Sequence, residues 1–360
     1  MINSKPNVYV IAEAGVNHNG SLDLAFKLID AAASAGADAV KFQTFKTDKL
    51  VTKNATKAEY QIKTTNNKES AYEMLKSLEL TESDFEQLAK YANELNIDFL
   101  STAFDKDSLL FLVHQLHLKT LKIPSGEITN APLVLACARS KCNLILSTGM
   151  ATMDEIEEAL GVIAYGFIED EINKIPTIKD FKQAYASKQA TKLLNEKVTI
   201  LHCTTEYPAP IEEINLSAMN TMKDRFRLNI GYSDHTKGVE IAPIAVALGA
   251  QIIEKHFTLD VNMDGPDHKA SLEPDELKNM ICLIRNAEKS LGSGIKKPSL
   301  SETNNINIAR KSLCAEYKIS KGDIFSEENM SIKRPGGGVS PFKYWEFIGK
   351  KSKNNYEIGD

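Results

Sequence analysis

One unit, repeated over roughly the first 290 residues, restricts the fold more than anything else in this chain. It is a short apolar run that turns polar at its last positions, then a loop, then apolar residues at helical spacing. The first copy is Val8-Tyr-Val-Ile-Ala-Glu-Ala14, the turn Gly15-Val-Asn-His-Asn-Gly20, and then Leu22, Ala25, Leu28, Ile29 and Ala32. Further runs lie at 39–44, 98–102, 120–127, 143–150, 198–204, 230–235 and 252–257. Helices are expected near 82–95, 108–116, 131–140, 153–163, 215–226, 239–248 and 273–291. Thr81 caps the first of these and Pro274 opens the last. Strands that are almost continuously apolar are covered on both faces. Eight such units predict a (β/α)8 TIM barrel, their regularity favouring closure over an open doubly wound sheet. No Gly-x-Gly-x-x-Gly follows the first run and no Walker motif occurs, which removes the common nucleotide sites.

Three stretches break the pattern. Residues 46–70, rich in Lys, Thr and Asn, read as a solvated loop or a lid over the sheet edge. Residues 168–196 read as an insertion with one peripheral helix. A linker rich in Gly, Ser, Lys and Asn begins at Gly292. The expected domains are a barrel over 1–292, a linker over 293–308 and a small domain over 309–360. The last, with Pro335-Gly-Gly-Gly338 and Trp345, buries too little to be robust alone and is expected to dock on a barrel, its own or a partner's.

A net charge of −5 gives no electrostatic case for nucleic acid or an anionic membrane, and no run approaches the ~18 apolar residues of a membrane span. The N-terminus enters a strand at once, leaving no room for a signal peptide. Five cysteines, an odd number with no Cys-x-x-Cys, read as thiols of a reducing cytoplasm.

In a barrel of this type the chemistry sits at the C-terminal rim. Strand one delivers Glu13 there, with Asn17 and His18 beyond; strand two Lys41 and Gln43; strand three Ser101 and Thr102. Strand four brings Lys122, Ser125 and Glu127; strand five Ser147 and Thr148; strand six Thr204, Thr205 and Tyr207. Strands seven and eight bring Ser233, His235, Glu254 and His256. Alternation places Glu254 and His256 on one face and Lys255 on the other. Each of these residues taken singly has a structural explanation. Together they would bury several charges at a cost of several kcal/mol each unless paired, and they read as an active site. Two lysines among hydroxyls suit an anion carrying phosphate and carboxylate. Two histidines suit a divalent ion acting on a carbonyl oxygen, and Glu13 and Glu127 suit acid–base work. A Schiff-base lysine, as in a class I aldolase, is the rival chemistry, and a non-catalytic sugar-binding barrel the rival class.

The motifs Ala12-Glu-Ala-Gly-Val-Asn-His-Asn-Gly20, Val40-Lys-Phe-Gln43, Lys122-Ile-Pro-Ser-Gly-Glu127 and Ser147-Thr-Gly-Met150 resemble those of the sialic acid synthase family. So do His202-Cys-Thr-Thr-Glu-Tyr-Pro208, Gly231-Tyr-Ser-Asp-His235, Glu254-Lys-His-Phe257 and Gly265-Pro-Asp267. The tail from Arg310, with Lys333-Arg-Pro-Gly336, resembles a SAF (antifreeze-like) domain. The resemblance implies condensation of phosphoenolpyruvate with an open-chain N-acylated amino hexose and water. The sugar is N-acetylmannosamine or 2,4-diacetamido-2,4,6-trideoxymannose, and the products are N-acetylneuraminate or N,N'-diacetyllegionaminate plus phosphate. It also implies that His235 and His256 hold Mn2+, Mg2+ or Co2+. By the same resemblance Lys41, Thr102, Lys122, Ser125, Ser147 and Ser233 cradle phosphoenolpyruvate, while Glu13, Gln43, Tyr207 and Asp267 position the sugar. Thr205 and Glu254 complete the substrate contacts, and Glu127 lies near the carbon that gains water. The resemblance also implies a domain-swapped homodimer, in which Arg334 would reach the neighbour's sugar. At the sixth strand end some members carry Asn where this chain has Thr204 or Thr205, which leaves the contact there open.

Overall fold

A computed structural model of the chain describes residues 8–65, 69–169, 171 and 174–360. The N-terminal residues 1–7, with the signal-peptide reading that rests on them, lie outside the described residues; so do 66–68 of the expected lid and 170 and 172–173 of the insertion. The chain divides into two compact units, Met1–Gly292 and Ser293–Asp360.

In the first unit eight parallel strands close a barrel in chain order: β1 (Tyr9–Gly15), β2 (Ala39–Thr44), β3 (Asp98–Ala103), β4 (Thr120–Ile123), β5 (Asn143–Ser147), β6 (Val198–His202), β7 (Asn229–Asp234) and β8 (Ile252–His256), with β8 paired back to β1. Closure, rather than an open sheet, is the outcome. Three strands stop short of the apolar runs that foretold them. β4 ends at Ile123, since Pro124 has no N–H for the ladder, and Ser125–Glu127 forms a single 3-10 turn. β5 ends at Ser147 and β6 at His202.

Alternation then sorts each strand. Ile11, Ala39, Leu100, Ile145 and Leu201 fill the barrel interior, while Val10, Val40, Leu121, Leu144, Ile200 and Ile253 face the helices. Each such burial contributes ~1.5–3 kcal/mol. Two residues further along, the inward positions become Glu13, Lys41, Thr102 and Ser147. The interior therefore changes from apolar to ionised within one layer.

The intervening segments depart from expectation. Within 46–70 the chain forms helices Thr47–Leu50 and Glu59–Thr64, and beyond it a further helix, Ala71–Leu78. These helices are too short to show a period. The third is marked instead by a reciprocal cap between Ser70 and Glu73, and its Met74 and Leu78 pack on Val16 and Phe45. The insertion holds two helices rather than one, Ile178–Tyr185 and Lys188–Lys197, capped by Thr177 and Ser187. They cover the helix Met153–Ile168, whose second half is buried around nearly all its circumference.

The second unit contains a helix, Leu300–Ala309, in the stretch read as linker. Ser299 and Glu302 cap it reciprocally, and no apolar stripe announces it. β9 (Ser312–Ala315) pairs antiparallel with β10 (Met330–Lys333). The unit's core is Ala315, Ile319, Phe325 and Met330, while Phe342 and Trp345 are exposed. Among the described residues no helix is long and apolar enough to cross a membrane.

Candidate active site

A cavity of about 250 Å3 opens at the C-terminal mouth of the barrel. Its floor is an alternating chain of charges, each less than 6% exposed. Lys41 Nζ lies 2.6 Å from Glu13 Oε2 and 3.7 Å from Glu254 Oε2, and Lys122 Nζ lies 2.8 Å from Glu254 Oε1. Strand register brings them together, since Lys41 stands opposite Glu13 and Ser233 opposite Glu254. Lys41 Nζ donates to Thr102 Oγ1 (3.2 Å), Ser233 Oγ to Glu254 Oε1 (3.0 Å) and Gln43 Nε2 to Glu13 Oε1 (3.3 Å).

The two carboxyls are driven apart. Burial raises the pKa of Glu254, but Lys122 and Lys41 overcome this and hold its carboxylate well below the usual range. Burial pushes Glu13 up to about 7, with Lys41 opposing and Glu254 adding to the rise. Burial also lowers Lys122 more than Glu254 restores it, whereas Lys41, flanked by both carboxylates, is raised overall. Glu254 is thus a fixed counter-charge, and Glu13 is the carboxyl that exchanges a proton near neutrality.

Above this floor His235 and His256 face each other, ring centroids 5.7 Å apart. His235 Nδ1 is 2.6 Å from the Thr204 carbonyl, which can only accept; the hydrogen is on Nδ1, and Nε2 carries a lone pair, 3.4 Å from Ser233 Oγ. His256 Nδ1 is buried with no hydrogen-bond partner among the described residues, and Asp267 Oδ2 lies at 3.8 Å. Burial holds His235 down at about 4 and His256 well below its ordinary value, so both are neutral at pH 7. It pushes Asp267 up to about 6. The Tyr207 ring covers both imidazoles, at 4.3 and 5.5 Å.

Among the described residues no cluster of three or more His, Cys, Asp or Glu side chains forms a closed metal cage. Two neutral imidazoles, one locked in tautomer by a carbonyl, fit an ion that keeps most positions for water and substrate. One wall carries buried hydroxyls, Ser147 Oγ and Thr205 Oγ1, with no hydrogen-bond partner among the described residues. Beside them Ser125 Oγ accepts from Gly149 N at 3.0 Å and lies 3.1 Å from Cys203 Sγ. A Cβ on residue 149 would stand 2.1 Å from Thr205 Oγ1 and 2.8 Å from Ser125 Oγ, so only glycine fits. Buried unpaired hydroxyls are costly, and this wall fits a ligand rich in oxygen.

Of the residues foretold for the site, Glu13, Lys41, Gln43, Thr102, Lys122, Ser125, Ser147, Thr205, Tyr207, Ser233, His235, Glu254, His256 and Asp267 line this cavity, whereas Asn17, His18, Ser101, Thr148 and Thr204 are not among the lining residues. Glu127 is not among the lining residues. It was expected as a buried carboxylate and is half-buried, its Oε2 accepting from Asn130 Nδ2 at 2.6 Å. It lies five residues past the inward Lys122, on the 3-10 turn Ser125–Glu127 that follows β4, and an odd offset does not share the lysine's face even on a continued strand. Arg334 belongs to the second unit, where its exposed side chain donates through Nε to the Ala309 carbonyl (3.0 Å).

Sequence reasoning missed three features. Cys203 Sγ lies beside Ser125 Oγ, and Cys203 follows the inward Leu201 by two residues, so alternation was signal enough. Val16, Met74, Leu75, Leu78 and Phe104 form an apolar wall that depends on the unforeseen helix Ala71–Leu78. On the barrel's outer face, Lys255 and Asp234 pair at 3.0 Å, both fully buried. Asp234 Oδ1 accepts from Thr236 N and Oγ1, and Lys255 Nζ donates to the Thr236 carbonyl. This places a second buried ion pair directly behind His235.

His18 shows how burial enters pH dependence. Its Nδ1 accepts from Gly20 N at 3.0 Å, and burial lowers its pKa from 6.5 to about 4. Between those values the unfolded chain binds a proton that the native state refuses, so stability falls as pH is lowered through this window. In denaturant titrations between pH 6.5 and 4.5, His18→Asn is expected to show a flatter decline than the wild type; an unchanged slope would show that His18 contributes nothing to it.

Three likenesses accompany this geometry. The chain is 52% identical to an N,N'-diacetyllegionaminic acid synthase of Campylobacter jejuni, over 97% of this chain and 96% of that protein. It is 45% identical to an N,N'-diacetyllegionaminic acid synthase of Legionella pneumophila, over 99% and 93%. The solved N-acetylneuraminic acid synthetase of Leptospira borgpetersenii, in complex with citrate, superposes with a TM-score of 0.67 at 35% identity, covering 83% of this chain and 90% of that one. A model of the NeuB family matches residues 28–296. With that match across most of the barrel, the chain belongs to the NeuB family.

Proposed function

We propose that the protein is a phosphoenolpyruvate-dependent nonulosonic acid synthase. It joins phosphoenolpyruvate, 2,4-diacetamido-2,4,6-trideoxymannose and water into N,N'-diacetyllegionaminate and inorganic phosphate. The observation that carries this reading is the Glu13–Lys41–Glu254–Lys122 chain set beneath two neutral imidazoles. One mouth then offers ammonium groups for an anion, lone pairs for a divalent ion, and a carboxyl that titrates near neutrality. The choice of sugar follows the Campylobacter and Legionella relatives; N-acetylmannosamine is the alternative, after the Leptospira synthetase.

The chain's own residues divide the work. Lys41 and Lys122, neutralised by Glu13 and Glu254 before substrate arrives, hold the phosphate and carboxylate oxygens. Thr102, Ser125, Ser147 and Ser233 add hydrogen bonds, and Thr205 gains the partner it lacks. Gln43, Tyr207 and Asp267 orient the sugar hydroxyls. A divalent ion held by His235 and His256, such as Mn2+, supplies a Lewis acid for the sugar's carbonyl oxygen. Glu13 gives a proton to that oxygen as the enol carbon bonds to the aldehyde carbon. Water adds to C2 of the former enol, and Glu13, ionised by the first step, takes its proton. Phosphate then departs with cleavage of its C–O bond. The second unit is proposed to be a SAF domain that caps the neighbour's barrel in a domain-swapped homodimer, which its exposed Phe342 and Trp345 support.

Phosphate release is expected only when phosphoenolpyruvate, the sugar and Mn2+ are mixed together. An ion held by two imidazoles exchanges readily, so EDTA is expected to stop turnover and added Mn2+ to restore it. Burial lowers Lys122, which is what a Schiff-base aldolase requires. Metal-independent turnover with a borohydride-trapped lysine adduct would replace the synthase by that reading. For the capping role, Arg334→Ala is expected to raise the KM for the sugar at least tenfold while that for phosphoenolpyruvate stays within about twofold. Equal rises would count against it.

A further inference from the structure

We propose that the turn Asn17–Gly20 is a latch that holds the loop carrying Asp267 against the mouth of the barrel, with Asn17, Asn19 and His268 as positioning residues. The role of Asp267 in sugar binding rests on the reading above; the latch itself does not.

The geometry bridges the seam of the barrel, joining the residues that follow β1 to the loop that follows its paired neighbour β8. Asn17 is 1% exposed, and its Nδ2 donates to the Phe257 carbonyl (2.8 Å) and to Ser271 Oγ (2.9 Å). Ser271 Oγ in turn donates to the backbone carbonyl of Asp267 (2.7 Å). Two residues on, Asn19 Nδ2 donates to the Asp264 carbonyl (2.9 Å), which leaves Oδ1 to accept from His268 Nε2 (3.1 Å). His268 is fully buried, and with its hydrogen on Nε2 its Nδ1 accepts from Thr258 Oγ1 (2.6 Å). Gly265, at φ +154, packs onto this pair. A Cβ there would lie 2.6 Å from His268 Cδ2 and 2.9 Å from Asn19 Oδ1.

Asp267 needs such a device. Its carboxylate accepts no hydrogen bond from the described residues, and His256 Nδ1 stands 3.8 Å from its Oδ2. Its aim is therefore set by where its backbone is held, and Ser271 and the neighbours at 264, 265 and 268 hold it. The turn itself is fitted for the role: Asn19 sits at φ +50, which Asn tolerates better than most residues, so the side chain that makes the latch also permits the turn.

The test uses the full chain with three variants. His268→Ala and Asn19→Gly each remove one half of the latch, the second without straining the turn. His268→Gln restores a donor near the position of Nε2. For the first two, the KM for the diacetamido sugar is expected to rise at least tenfold, with that for phosphoenolpyruvate within twofold, and His268→Gln is expected to recover most of the loss. Hydrogen–deuterium exchange is expected to accelerate over residues 260–272 alone. Equal rises in both KM values, no rescue, or faster exchange spread over all the barrel strands would overturn the latch. Should the wild type release no phosphate with either sugar, the synthase reading fails, and the exchange pattern alone decides the latch.

Discussion

Lys122→Met is expected to lower kcat/KM for phosphoenolpyruvate by at least a hundredfold and to destabilise the fold as well. Lys122 Nζ is the ammonium group 2.8 Å from Glu254 Oε1, both groups buried, and removing it leaves the carboxylate to share Lys41 with Glu13. Breaking one partner out of a buried pair costs about 3–5 kcal/mol, because the remaining charge has lost its compensation. The same substitution takes away one of the two cations proposed to face the trianion, and a loss of about 3 kcal/mol corresponds to roughly a hundredfold. The double variant Lys122→Met/Glu254→Gln separates the two effects. With both charges gone, stability measured by denaturant unfolding is expected to recover, while phosphate release stays lost. Recovery of activity along with stability would show that Lys122 serves only to neutralise Glu254.

Lys255→Met is expected to be the largest purely structural lesion in the barrel. Lys255 and Asp234 are fully buried, 3.0 Å apart, on the face of β7 and β8 that turns away from the cavity. Burial lowers Lys255, with Asp234 opposing, and the ammonium group is further engaged by the Thr236 carbonyl. Without it Asp234 keeps its bonds from Thr236 N and Oγ1 on one oxygen only, and its other oxygen is left buried and unpaired. A cost of about 3–5 kcal/mol predicts a fall in Tm on the order of 10 °C by calorimetry. A fall of less than about 3 °C would show that water or backbone movement relieves the charge. Asp234 also separates Ser233 from His235, and the loss is expected to weaken Mn2+ retention in parallel, read by metal content after gel filtration.

The two pairs mark the boundary of what primary structure reveals. Glu254-Lys255-His256 states by strand alternation that its outer members share a face, and the barrel obeys this. Nothing local states that Lys255 meets Asp234, because their encounter depends on β7 and β8 being neighbours in register.

Eight apolar runs with polar ends, spaced by helical patterns, were enough by themselves to determine a closed parallel barrel and most of the side chains that reach its mouth. Period two and period 3.6 are local properties, and burial on both faces follows from composition alone. Only the tertiary structure decided what those side chains do to one another. It decided that Glu254 is held ionised between two ammonium groups while Glu13 titrates near neutrality, that two imidazoles stay neutral 5.7 Å apart, that Glu127 is not among the residues lining the cavity, and that helices at 71–78 and 300–309 exist. The physical reason is one of range. Desolvation and charge–charge interaction depend on what surrounds a group in space, and here the surroundings come from strands far apart in the chain, as Glu13 and Glu254 are at 241 residues.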